Sequence, residues 1–247
     1  MKSKRLGREV WAWCLYDWAN SAFALTVMTA FFPVFFKSFW NSGVEPTVST
    51  ARLAIGTGIA GTLVAAMSPV LGALADAGRA KKRFLAAFVS LGVAMTAALY
   101  FVPQGHWAVA LAVFIAADLG FSASFLMYDS LLTDVAQPDT MDFVSSLGYS
   151  IGYLGSALLF VLNVAMTMHP QLLGLDKVGA VRVSFLTVAL WWSVFTLPLL
   201  FFVKERNAAL SLPASALIRD GLSRLRTTFG KILRSPVLWL FLVAYWL

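Results

Sequence analysis

Charge is scarce in this 247-residue chain: 13% of its residues are Asp, Glu, Lys or Arg, where a soluble domain carries roughly 25%. That shortfall excludes a soluble enzyme and a disordered tail. The basic residues fall in short loop clusters between apolar runs, which excludes a nucleic-acid binder as well. Cysteine is nearly absent. Cys14 stands alone, so neither an internal disulfide nor a zinc or redox pattern can be assembled. The two histidines, His106 and His169, sit at loop edges without neighbouring ligands and read as interfacial polar residues. No cofactor or metal is expected.

Apolar residues make up 60% of the chain, and the mean hydropathy is +0.78. They fall in runs at 11–36, 53–75, 84–102, 107–131, 146–168 and 183–203, and a seventh opens at Pro236. A membrane span needs about 20 predominantly apolar residues, so the chain reads as an all-α, multi-pass membrane protein. The first run follows Lys2, Lys4, Arg5 and Arg8 in the manner of a secretory signal. It is too long for one and contains Asp17 and Asn20, so it reads as a retained helix.

With the N-terminus in the cytoplasm, only Lys37, Arg52, Lys177 and Arg182 of the 19 basic residues face outward. The other 15 face inward, a positive-inside bias. The loop after the fourth helix instead carries Asp134, Asp139 and Asp142, on the same side as the basic loop after the second. In 211–235, Ile218, Leu222, Leu225, Phe229 and Ile232 recur at helical spacing while Arg219, Arg224, Arg226, Lys231 and Arg234 take other faces. Such a helix lies on an anionic inner leaflet. The expected organisation is a six-helix bundle over 1–203, a basic amphipathic cytoplasmic linker over 204–235, and the start of a seventh helix over 236–247. The last run stops at Leu247, too short to cross ~30 Å, so a continuation of the chain is expected.

Acids inside spans are costly, roughly 2.5–3.5 kcal/mol at mid-bilayer on insertion scales. Asp17 lies about 9 Å above Trp11 on the first helix. Asn20, Ser21 and Ala24 continue its face as a polar stripe. On the fourth helix Asp118 sits near mid-depth, Ser122 and Phe125 share its face, and Asp129 lies at the inner end. Asp17, Asn20, Ser21, Asp118 and Ser122 are therefore the candidate lining of a substrate or proton pathway, and Asp129 a candidate gating residue. The alternative is structural, with each acid accepting hydrogen bonds between packed helices. Gly148, Gly152 and Gly155 put small residues on one side of the fifth helix, where close packing is expected. Asp17-x-x-x-Ser21-Ala22 is echoed by Asp118-x-x-x-Ser122-Ala123, as inverted three-helix repeats would allow.

The segment Gly72-Ala-Leu-Ala-Asp76-Ala-Gly78-Arg79-Ala-Lys81-Lys82-Arg83 resembles the loop signature of major facilitator transporters, with the second glycine one residue early. A narrower resemblance lies in Leu15-Tyr16-Asp17-Trp18-Ala19-Asn20-Ser21-Ala22-Phe23 and Phe31-Phe32-Pro33. Ser68-Pro69-Val70-Leu71-Gly72, Gly120-Phe121, Tyr128, Leu131-Leu132, Asp134, Pro138 and Gly148-Tyr149-Ser150-Ile151-Gly152-Tyr153-Leu154-Gly155 continue it in order. These motifs are similar to the branch containing the fungal vacuolar amino-acid effluxers of autophagy and the bacterial unknown major facilitator family. Asp118 and Asp129 stand where that pattern leads one to expect asparagine.

The resemblance implies two six-helix bundles around a central site that opens alternately to each side, of which this chain is the first. The leading expectation is a secondary transporter for a small polar solute, an amino acid or similar metabolite, with protons as a possible coupling ion. Gly72, Asp76, Arg79, Lys81, Lys82, Arg83 and Asp134 would form an inner gate. A bacterial inner membrane is the expected location. Two alternatives stand beside it. One is a non-transporting half that pairs with a second copy or another chain, serves as an assembly partner, or is a fragment whose partner is a missing C-terminal half. The other is an intramembrane aspartyl protease built on Tyr16-Asp17 and Tyr128-Asp129, whose companion Gly-x-Gly-Asp motif is missing.

Overall fold

A computed structural model describes residues 6–76, 80–206, 223, 227, 230 and 234–246, with the side chains of 73–76, 241–243, 245 and 246 left out. Six helices are long and apolar enough to cross a membrane. They are α1 Arg8–Trp40, α2 Pro46–Asp76, α3 Lys81–Phe101, α4 Trp107–Val135, α5 Met141–Met168 and α6 Lys177–Phe202. A shorter helix, α7, covers Pro236–Trp246. The described residues contain no strand. The expected amphipathic linker helix, with Arg219, Arg224, Arg226 and Lys231, falls almost wholly outside the described residues, as does Arg79.

Each helix overruns its apolar run at one end or both. Hydropathy marks the stretch in hydrocarbon, but the hydrogen-bond ladder continues into the headgroup zone until a specific residue stops it. Pro46 opens α2 as a first-turn proline. Asp176 caps α6 by accepting the Gly179 N–H at 2.7 Å. Gly174, in the left-handed region at φ 66°, turns the chain between α5 and α6.

The packing follows a twofold pattern. α1 packs on α5 and α6, α4 packs on α2 and α3, and α3 meets α6. Exchanging each helix with the one three places along turns these contacts into one another, which is the signature of inverted three-helix repeats. Lipid offers apolar surface as good as a neighbouring helix, so contact here must come from close fit and polar pairing. The glycines supply the fit. A methyl group on Gly120 of α4 would lie 2.5 Å from the Gly92 nitrogen and 2.7 Å from the Phe88 carbonyl oxygen of α3. Gly92 in turn receives the Trp192 ring of α6, and Gly56 of α2 receives Leu111 of α4.

One element departs from regular winding. Phe23–Phe31 and Phe36–Trp40 of α1 are π-helical. The Phe32 N–H reaches back five residues to the Val27 carbonyl, and the Thr29 hydroxyl bonds Ala24 O at 2.8 Å. Pro33 follows directly. It lacks an N–H and its ring crowds the preceding turn, and a wider turn there accommodates both. Such π segments collect at functional sites.

Candidate functional site

The three α5 glycines face α1. Gly148 receives the Trp13 ring, 2.6 Å from where a methyl carbon would sit, and Gly155 receives Trp18. Between them, a methyl on Gly152 would lie 2.8 Å from Asp17 Oδ1 and 2.9 Å from Ser21 Oγ. Gly152 thus leaves the space that the Asp17 carboxylate occupies. Ser21 donates to Asp17 Oδ1 at 2.9 Å, one helical turn away. Asp17 is 4% exposed, and no other hydrogen-bond donor to it occurs among the described residues.

Aromatic contacts fix α1 above and below this pair. Trp13 stacks on Tyr128 of α4 with centroids 4.3 Å apart, and its indole N–H donates to Tyr128 O at 3.1 Å. Trp18 stacks on Trp191 of α6 at 5.6 Å, and the Trp191 N–H donates to Trp18 O at 3.1 Å. The carboxylate is therefore flanked on two sides by stacked rings, of which Trp13 and Trp191 also donate their indole N–H groups to backbone carbonyls.

Asp17, Asn20 and Ser21 border a cavity of about 400 Å³ with Ala24, Leu25 and Thr29 of α1, Phe121 and Phe125 of α4, and Tyr149, Tyr153 and Ser156 of α5. The π turn is what brings Thr29 onto this face, five residues after Ala24. Asn20 is 1% exposed, with the buried Tyr16 hydroxyl beside it. A second hollow of about 470 Å³ lies along the outer part of α1. Its polar groups, Thr29 and Ser38, already donate to backbone carbonyls at 2.8 and 3.0 Å, so it offers little chemistry.

Asp118 and Ser122 do not line the cavity. They share the α4 face of Phe125 and Leu111, but Asp118 sits about 10 Å outward of Phe125, on the stretch that leads to the α2 contact at Leu111. Asp129 is exposed one turn inward of Phe125. The lining residues Tyr149, Tyr153 and Phe121 stood in the sequence only as members of the family motif and not as lining, because an aromatic in a span reads equally well as lipid-facing.

At the inner ends a charged cluster ties four helices. Lys81 Nζ meets Asp134 Oδ2 at 3.0 Å with both side chains buried, and also donates to Ser130 O at 2.8 Å. Asp134 Oδ1 accepts the Arg206 N–H at 3.2 Å. Lys82 donates through Nζ to Val203 O at 2.7 Å and through its backbone N–H to Glu205 at 2.8 Å. Arg206 pairs with Glu9 at the start of α1, and Arg8 lies over the Phe202 ring at 3.6 Å. Arg83, Asp139 and Asp142 are exposed. Asp76 ends α2, its side chain outside the described residues. Nothing among the described residues lies within 4 Å of where a methyl on Gly72 would sit.

Six spanning helices in an inverted-repeat arrangement, with a buried carboxylate on a cavity, define an integral multi-pass membrane protein. The chain belongs to the family described as vacuole effluxer Atg22 like, whose model matches residues 46–247. It is 37% identical over 245 residues to the uncharacterized MFS-type transporter YxiO of Bacillus subtilis (strain 168), covering 98% of this chain and 57% of that protein. It is 27% identical over 163 residues to an uncharacterized protein of Aquifex aeolicus (strain VF5), covering 65% of this chain and 39% of the relative. The chain thus spans little more than half the length of the first of these and less of the second. No solved structure matches it.

Proposed function

We propose that this bundle is one half of a secondary transporter that moves a small polar solute, an amino acid or similar metabolite, by alternating access. One observation carries the reading: Asp17, buried at 4% exposure in a membrane-spanning helix, borders a 400 Å³ cavity with a single hydroxyl as its donor. An acid kept at that depth is costly and is retained where it meets a cavity or a partner. Asn20, three residues along the same wall, adds a polar amide beside that acceptor. A polar solute satisfies both.

In this reading Asp17, Asn20 and Ser21 form the binding wall, and Asp118 and Ser122 continue the polar path outward along α4. Phe121, Phe125, Tyr149 and Tyr153 supply its apolar walls, and protons are a possible coupling ion. The Lys81–Asp134 pair is internal to the bundle, so it braces the inner end as a rigid unit during rocking. Asp76, Arg79, Arg83 and Asp129 remain for gating contacts with the opposite half. That half is a second six-helix bundle, from a longer chain, a second copy or a partner. The N-terminus lies in the cytoplasm of a bacterium, with the basic linker on the anionic inner leaflet.

The test is Asp17→Asn in the native gene product, reconstituted in liposomes and screened with labelled amino acids. Uptake is expected to fall strongly while membrane insertion is unchanged. Uptake at the wild-type rate removes Asp17 from the pathway.

A further inference from the structure

We infer that the cavity beside Asp17 recognises an organic ammonium group, with the Asp17 carboxylate as counter-ion and the rings of Phe121, Phe125, Tyr149 and Tyr153 as walls. This rests on reading the cavity as the solute pathway, and adds the charge of what enters it.

The lining holds one carboxylate and no lysine, arginine or histidine. A buried charge needs a partner, since leaving it unpaired forfeits its hydration. Ser21 offers Asp17 one hydrogen bond but no charge. The next ionisable groups along the Phe125 face of α4 deepen the imbalance, because Asp118 lies outward of it and Asp129 inward. Within the cavity an anion would meet one acid and no base, and a cation is favoured there.

The aromatic walls point the same way. Ring faces are negative and attract cations within about 6 Å of the centroid. Phe121 and Phe125 lie parallel at 6.3 Å, and Tyr149 and Tyr153 meet edge to face at 5.5 Å, on opposite helices around the carboxylate. A metal ion suits this lining poorly, because calcium takes six to eight oxygens and no cluster of three metal-ligating side chains occurs among the described residues. The volume is at the small end of ligand pockets, ~300–1,000 Å³, and suits a compact alkylammonium or amino acid.

The chain in lipid nanodiscs is titrated with three related solutes while tryptophan emission is followed. L-leucine carries both charges, 3-methylbutylammonium is leucine without its carboxylate, and 4-methylpentanoate is leucine without its amine. Saturable binding of 3-methylbutylammonium is expected, with none of 4-methylpentanoate. Asp17→Asn weakens it tenfold or more, as loss of a charged hydrogen bond does. Tyr153→Leu, at a side chain 66% exposed, weakens it about two- to fivefold and leaves the melting temperature unchanged. Leucine binding as tightly as the amine assigns the site to amino acids, and amine binding alone assigns it to amines. If 4-methylpentanoate binds as well as the amine, or Asp17→Asn keeps the amine affinity, the charge assignment is wrong and the cavity remains a solute site. If none of the three binds saturably, the pathway reading falls with it.

Discussion

Gly152→Ala tests whether the α1–α5 contact sets the position of Asp17. The added methyl would sit 2.8 Å from Asp17 Oδ1, 2.9 Å from Cγ and 2.9 Å from Ser21 Oγ. Carbon and oxygen in van der Waals contact stand well beyond 3 Å, so α1 and α5 must separate by several tenths of an ångström or the Asp17–Ser21 bond must break. Overpacking of this kind costs about 1–3 kcal/mol. Alanine is also the better helix former by about 1 kcal/mol, which partly hides the cost. Gly58→Ala on α2 supplies the correction, because nothing lies within 4 Å of a methyl there. The two variants share the propensity gain and differ in the clash. In detergent-solubilised protein followed by tryptophan fluorescence, Gly152→Ala should melt below Gly58→Ala by roughly 2–12 °C, at ~2–4 °C per kcal/mol for a chain of this size. Ser21→Ala in the Gly152→Ala background removes one of the three close contacts and should recover part of the gap. Equal melting temperatures for the two single variants would refute the claim that Gly152 makes room for the carboxylate.

Lys81→Met leaves the buried Asp134 carboxylate without its cation and should destabilise by about 3–5 kcal/mol, read as the same melting shift, whereas Lys81→Met with Asp134→Leu should recover most of it. Gly120→Ala should be more damaging than Gly152→Ala, because the atoms it meets are α3 backbone and cannot rotate away; a smaller shift contradicts the α3–α4 crossing. For the proposed orientation, Leu172→Cys and Asp139→Cys are made in a Cys14→Ala background and treated with an impermeant thiol reagent on intact cells. Only Leu172→Cys should label, since it lies 80% exposed between α5 and α6 on the outer side, and labelling of Asp139→Cys would invert the topology.

The number and order of the spans were legible because hydropathy reports the hydrocarbon stretch directly, and all six apolar runs lie within or against observed helices. Helix ends were less legible, since α2 starts at Pro46 rather than 53 and α1 runs to Trp40. In the headgroup zone polar residues and helical backbone coexist, and hydropathy is silent. The π winding of α1 had one local signal, Pro33, which marks a disturbed turn without saying how it resolves. Of the polar residues, the Asp17, Asn20 and Ser21 stripe was visible from spacing because all three lie on one turn of one helix. That Asp118 lies outside the cavity was not visible. Its face matches that of Phe125, two turns away, but which neighbour covers each turn of that face depends on how α2 crosses α4.

The inverted repeat explains why two similar motifs end in different surroundings. Asp17-x-x-x-Ser21 and Asp118-x-x-x-Ser122 sit on helices exchanged by the repeat, α1 packing on α5 and α4 on α2. On α5 a glycine stands opposite each of Trp13, Asp17 and Trp18, so the helices close tightly below the carboxylate while the turn of Tyr149 and Tyr153 opens a cavity. On α2 the glycine contact falls at Gly56 and Leu111, two turns outward of Asp118. Gly58, Gly61 and Gly72, further along, approach nothing among the described residues. Two copies of one packing rule thus diverge through where the glycines fall. The α1–α5 pair became the tight, polar side of the site, and α2 kept a bare face of Ile55, Ile59 and Leu63 that is exposed in the single bundle. In a two-bundle transporter that face and the exposed rings of Tyr149 and Tyr153 are the surfaces left for the opposite half to meet. Covering them without filling the 400 Å³ beside Asp17 is the geometric condition a closed pathway has to satisfy.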